Sequence, residues 1–117
     1  MIAAILLFAA NSPVTIEEYR INAVSNAWKT CVFDYVAAAQ SQIEDADTIV
    51  EIAMSSCSEL RNDYRAAAIR FVPIFLKGEG AVSFSADVVN GLAEETLKGF
   101  EDGLRIDARS RVVNGQK

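Results

Sequence analysis

Two cysteines, Cys31 and Cys57, are the residues of this 117-residue chain whose chemistry is easiest to define. Residue 44 lies midway between them and opens an acidic break, Glu44-Asp45-Ala46-Asp47. If the flanks are helices folded back on each other at that break, each cysteine lies equally far from the turn. At about 1.5 Å per residue, that is roughly 20 Å along each helix. The sulfurs then meet at one level, and a cross-helix disulfide is the expected product. Closing a loop of this length contributes on the order of 3 kcal/mol, mostly by restricting the unfolded chain. The alternative is a pair of reduced, buried thiols.

Other reactive constellations are missing from the sequence. There is no histidine, which removes the commonest general base, metal ligand and pH switch together. The cysteines are too far apart for a C-x-x-C redox or zinc motif. Ser55-Ser56-Cys57-Ser58 has neither a nucleophile elbow nor a base. Glu17-Glu18 and Glu94-Glu95 are adjacent, so on a helix they point apart. Gly78-Glu79-Gly80 has no lysine after it and no strand before it to cradle a phosphate. Asp45-x-Asp47 lacks the glycine and closing glutamate of a calcium loop and reads as helix capping. The expectation is a protein without catalysis, metal or cofactor.

Composition narrows the partners. A net charge of -5 argues against general binding to nucleic acid. Arg105, Arg109 and Arg111 form the only basic cluster, diluted by Glu101, Asp102 and Asp107, and read as a helix C-terminal bias. With 51% hydrophobic residues the chain supports one modest core. The run Met1-Ile-Ala-Ala-Ile-Leu-Leu-Phe-Ala-Ala10 is half the length of a membrane span, so no integral span is expected. It has the length and small-residue end of a signal-peptide apolar region. It has no basic residues before it, and Phe8 falls three residues before a cut after Ala10. The structural alternative is a short apolar helix in the core.

The elements that must position the cysteines follow from periodicity. Thr15-Ile-Glu-Glu18 fits a capping box, and Ile16, Tyr19, Ala23, Ala27, Cys31, Tyr35, Ala38 and Gln42 recur every three or four residues. Val24, Trp28 and Val32 widen that stripe, predicting a helix over 15–42. Asp45, Asp47, Ser41 with Glu44, or Thr48 with Glu51 can cap the next helix. Its stripe is Ile49, Ala53, Cys57, Leu60, Tyr64, Ala67, Phe71 and Phe75, and Pro73 should kink or end it. Ser83 or Ser85 can start a third helix, with Val88, Val89, Leu92, Ala93, Leu97, Phe100 and Leu104 as a weaker stripe. Gly91, Gly99 and Gly103 each lower its intrinsic stability by about 1 kcal/mol against alanine. The expected fold is all-α: a disulfide-pinned antiparallel helical hairpin plus a third C-terminal helix. A leader at 1–12 precedes a single domain at 13–111, with the hairpin at 15–77, the third helix at 84–111 and a frayed tail at 112–117.

In antiparallel register about residue 44, Trp28 faces Leu60, Val24 faces Tyr64 and Tyr35 meets Ala53. Large residues thus meet smaller ones across the seam. Trp28, Tyr35, Leu60 and Tyr64 are the expected hairpin core. Phe71, Phe75, Phe84 and Phe100 are the aromatics the hairpin cannot cover, and form a candidate interaction surface.

Trp28-x-x-Cys31, the alanine run Ala37-Ala38-Ala39, the acidic break and Ile49-Val-x-Ile-Ala53-x-x-x-Cys57 together resemble a group of small exported bacterial proteins of alphaproteobacterial type. The resemblance covers residues 23 to 66. It implies a secreted or periplasmic helical hairpin pinned by one disulfide, with no activity or catalytic residues to carry over.

The functional expectation is a small exported helical protein that acts in the cell envelope by binding another macromolecule or by self-association, including as a homodimer. One alternative is a helical carrier of an apolar small molecule. Another is a cytoplasmic phage- or plasmid-borne accessory protein with residues 1–10 as a docking helix.

Overall fold

The computed structural model describes residues 13–39, 45–80 and 83–115. Across them the chain is all-α, with four helices and no strand: α1 (Pro13–Ala39), α2 (Ala46–Ser56), α3 (Ser58–Gly78) and α4 (Ala86–Gly115). α1 packs on α2 and α3, and α4 packs on all three. The apolar run Met1–Ala10, the candidate cap pair Ser41 and Glu44, and Gln42 lie outside the described residues.

Helix starts follow local chemistry. α1 is already helical at Pro13, so its start lies two residues ahead of the expected one at 15. A proline is well tolerated there, because a first-turn N–H has no helical acceptor to lose. Asp45 caps α2: its carboxylate accepts the Thr48 backbone N–H at 2.8 Å and the Thr48 hydroxyl at 3.0 Å. Those bonds, the backbone one foremost, hold its pKa below the ordinary value of 3.8. Ser85 caps α4, its Oγ accepting the Val88 N–H at 3.2 Å.

Boundaries differ from the expected ones in the middle of the chain and at its end. The second predicted helix is two helices, α2 and α3, interrupted at Cys57 (φ -105°, ψ 22°). The Cys57 N–H donates to the Ala53 and Met54 carbonyls, and its own carbonyl accepts from Leu60 and Arg61. The serines around it are poor helix formers that compete for backbone bonds, which suits an interruption there. Pro73 does not end α3, which continues to Gly78, one residue past the expected end of the hairpin at 77. The residue whose carbonyl loses its donor to that proline, Ile69, is itself exposed. At the other end of the chain, Val112 is fully buried and α4 runs on to Gly115, so the predicted fraying from 112 does not hold through 115.

The core draws on every helix. Trp28, Val32, Val36 and Ala39 enter from α1, Ile49, Val50, Ala53 and Met54 from α2, and Tyr64, Ala68 and Val72 from α3. Val89, Ala93, Leu97, Leu104, Ala108 and Val112 complete it from α4. The α1 contribution corrects the main line of the predicted stripe, while Trp28 and Val32, which widened it, are buried. Ile16, Tyr19, Ala23, Ala27, Tyr35 and Ala38 are exposed, and the buried set lies one residue on, about 100° around the helix. Burial scales with apolar area, so the helix turns inward the face that carries Trp28, Val32 and Val36 and leaves Ala23, Ala27 and Ala38 outside.

Candidate functional site: the disulfide level and the outer apolar faces

Cys31 and Cys57 are joined, with a Cα–Cα separation of 6.1 Å. Cys57 is buried and Cys31 half-buried, so the bond sits at the edge of the core. It ties the middle of α1 to the residue at which α2 gives way to α3. Its only intrinsic chemistry is thiol–disulfide exchange, and burial of the Cys57 side limits attack to the Cys31 side.

Beside the disulfide, one ring from each of three helices meets in the centre. Trp28 lies 5.7 Å from Tyr64 and 5.3 Å from Phe100 between ring centroids, and Tyr64 stacks on Phe100 at 5.0 Å. Burial pushes the Tyr64 hydroxyl pKa up from 10.0. The Trp28 Nε1–H is buried without an acceptor among the described residues. An unpaired buried donor costs roughly 1–3 kcal/mol, and tight ring packing must outweigh it here.

The four aromatics predicted as a surface do not form one. Phe100 belongs to the central cluster and Phe84 packs partly buried against the core. Phe71 and Phe75 stack on each other at 5.8 Å near the end of α3, and Phe75 is 47% exposed. Of the predicted hairpin core, Trp28 and Tyr64 are buried and Leu60 is half-buried. Tyr35 is at the surface because the rotation of α1 turns it out.

Charged residues bridge helices, among them Arg105 and Arg109, which the sequence pattern suggests as a helix-end bias. Arg109 pairs with Asp47 at 2.8 Å and Arg105 with Glu51 at 2.9 Å, joining α4 to α2. Arg61 pairs with Glu101 and Arg65 with Glu94, joining α3 to α4. The Arg65 guanidinium holds the Glu94 carboxyl below its usual range, and Glu51 holds Arg105 above its own. Arg111 lies over the Phe33 ring at 3.9 Å. The signal for the first two pairs was present: Asp47 and Glu51 are one helical turn apart, as are Arg105 and Arg109, in opposite chain order. Matching them requires the third helix to be oriented against the second, which no local spacing supplies.

The remaining candidate surfaces are open. A shallow trough of about 460 Å³ between α1 and α4 is lined by Lys29, Phe33, Asp107, Ser110 and Arg111. A broader one of about 660 Å³ lies along the outer side of α2 at Asp47, Thr48, Glu51, Ile52, Ser55 and Ser56. Exposed apolar side chains occur on α1 (Ile16, Tyr19), α3 (Ile69, Phe75) and α4 (Val88, Ile106, Val113). Such groups can make dry contacts with another surface.

Compared with protein-family models, curated proteins and solved structures, the chain matches none. Among the described residues no helix is long and apolar enough to cross a membrane.

Proposed function

We propose that the protein is a small exported helical protein that acts in the cell envelope by binding another macromolecule or a second copy of itself, without catalysis of its own. The observation that carries this reading is the Cys31–Cys57 bond. Such bonds persist in secreted and periplasmic proteins and are kept reduced in most cytosols. The apolar run ahead of α1 supports the same compartment through its likeness to a signal peptide.

Binding is favoured over a carrier role by where the apolar surface lies. The large side chains Trp28, Ile49 and Leu97 fill the centre, and the clefts described above open to the outside. Exposed apolar residues on all four helices offer contact area to a macromolecule.

The test is fractionation of the native host followed by crosslinking in the fraction that holds the protein. The expected result is recovery from the envelope or medium with Cys31 and Cys57 oxidised and crosslinked to a defined partner or to itself. Recovery from the cytosol with free thiols overturns the reading.

A further inference from the structure

α4 has two apolar faces, and the fold uses one. Val89, Ala93, Leu97, Leu104 and Ala108 point into the core. On the opposite side Val88, Ile106 and Val113 stand exposed, Ile106 at 69%. Between them in sequence lie Gly91, Gly99 and Gly103, the last two on the edge of this face where a groove opens beside Lys29 of α1. A Cβ built on any of these three meets no atom within 4 Å, and none has a positive φ. Neither the backbone nor packing within the chain therefore asks for glycine there. Close approach of another backbone is the circumstance that does.

The charges beside this face are arranged to suit a copy of themselves. Lys98 and Glu95 form no ion pair among the described residues, and Asp102 reaches only Arg105, at 3.9 Å. Consider α4 packed antiparallel on α4 of a second copy, with the two-fold axis near Phe100 and Glu101. Within one residue, Lys98 comes level with Asp102 of the copy, Glu95 with Arg105 and Val88 with Val113. Gly99 and Gly103 fall at the crossing. A parallel pairing would set Lys98 against Lys98 and Glu95 against Glu95. Resting on the reading that the protein works by association, we infer that the outer face of α4 is the contact surface of an antiparallel two-fold dimer of this chain.

Charge reversal with mixing tests this. Sedimentation of the oxidised protein from its host should show a concentration-dependent dimer. Lys98→Glu alone sets a second carboxylate against Asp102 of the copy, and Asp102→Lys alone sets two ammonium groups together. Each variant should therefore dimerise roughly tenfold more weakly. Mixed in equal amounts they should form a heterodimer close to wild-type affinity. Compensation within one chain cannot produce that result. Gly99→Leu should abolish the dimer while the monomer keeps its helical circular dichroism.

A wild-type chain that is monomeric throughout, a mixture no tighter than its components, or an intact Gly99→Leu dimer each overturns the inference. A monomer recovered oxidised from the envelope leaves the proposed function standing with a different partner. A dimer recovered reduced from the cytosol keeps this surface and removes that function.

Discussion

The level of the disulfide and the end of the molecule where α1 begins are built from similar residues and treated very differently. α1 and α3 run antiparallel, since Cys31 is tied to the start of α3 and Trp28 meets Tyr64. α4 is antiparallel to α3 through the Arg61–Glu101 and Arg65–Glu94 pairs. The beginnings of α1 and α4 and the end of α3 therefore share one end. At the disulfide level, Trp28, Val32 and Leu97 are fully buried and three rings interlock. At the far end Ile16, Tyr19, Phe75 and Val88 are exposed, Tyr19 at 77%. Apolar content alone does not decide burial; the level that is cross-linked and holds the bulkiest side chains closes, and the other stays open to solvent or a partner.

The contrast can be broken by mutation, most strongly at its closed side. Trp28→Ala should lower unfolding free energy by about 4 kcal/mol in denaturant titration of the oxidised protein, through loss of the largest buried side chain. Phe75→Ala, at the open end, should cost under about 1 kcal/mol. Equal costs would mean that the two levels are equally packed. Trp28→Phe should cost well under half of Trp28→Ala, because it also removes the unpaired Nε1–H.

Reduction, or replacement of both cysteines by serine, should cost about 3 kcal/mol. Hydrogen exchange should then accelerate first around residues 28–36 and 53–64, where the link holds α1 to the α2–α3 junction. Acceleration confined to the α1 start would locate the constraint elsewhere.

The orientation of α1 gives a smaller, sharper test. Val36→Ala should cost about 2 kcal/mol and Ala27→Ser should fall within roughly 0.5 kcal/mol of wild type. The reverse order would restore the stripe predicted from spacing.

The smallest effects are electrostatic. Asp45→Ala should lower the melting temperature by roughly a few degrees through loss of the α2 cap. Asp45 and Glu94 both have folded-state pKa values below their ordinary 3.8 and 4.5. Their contribution is thus complete above those values and is lost as pH falls through the lowered ones. Thermal melts from pH 6 to about pH 2 should show this acid-side loss, reduced when both residues are replaced by their amides.

Much of the fold was legible in the sequence. The cysteines placed symmetrically about an acidic break led to the disulfide, and the Ile49–Tyr64 spacing led to the buried side of α2 and α3. The α1 face is misplaced by spacing because alanine counts as apolar in a periodicity yet buries little area, so Ala23 and Ala27 set the main line of the stripe, Val32 only widened it and Val36 fell outside it. The break at Cys57 left no glycine or proline to announce it. The cross-helix ion pairs needed the direction of α4, which no local pattern carries. Phe84 and Phe100 were assigned to a surface because a two-helix seam has no room for them; the third helix supplies that room.

Export and cross-linking stand or fall together in one measurement: the intact mass of the native protein, taken from its own host without reductant. The predicted species lacks the first ten or so residues and is two hydrogens lighter than the thiol form. A full-length chain with two free thiols would contradict both, return Met1–Ala10 to the folded protein and make a cytoplasmic partner the leading reading.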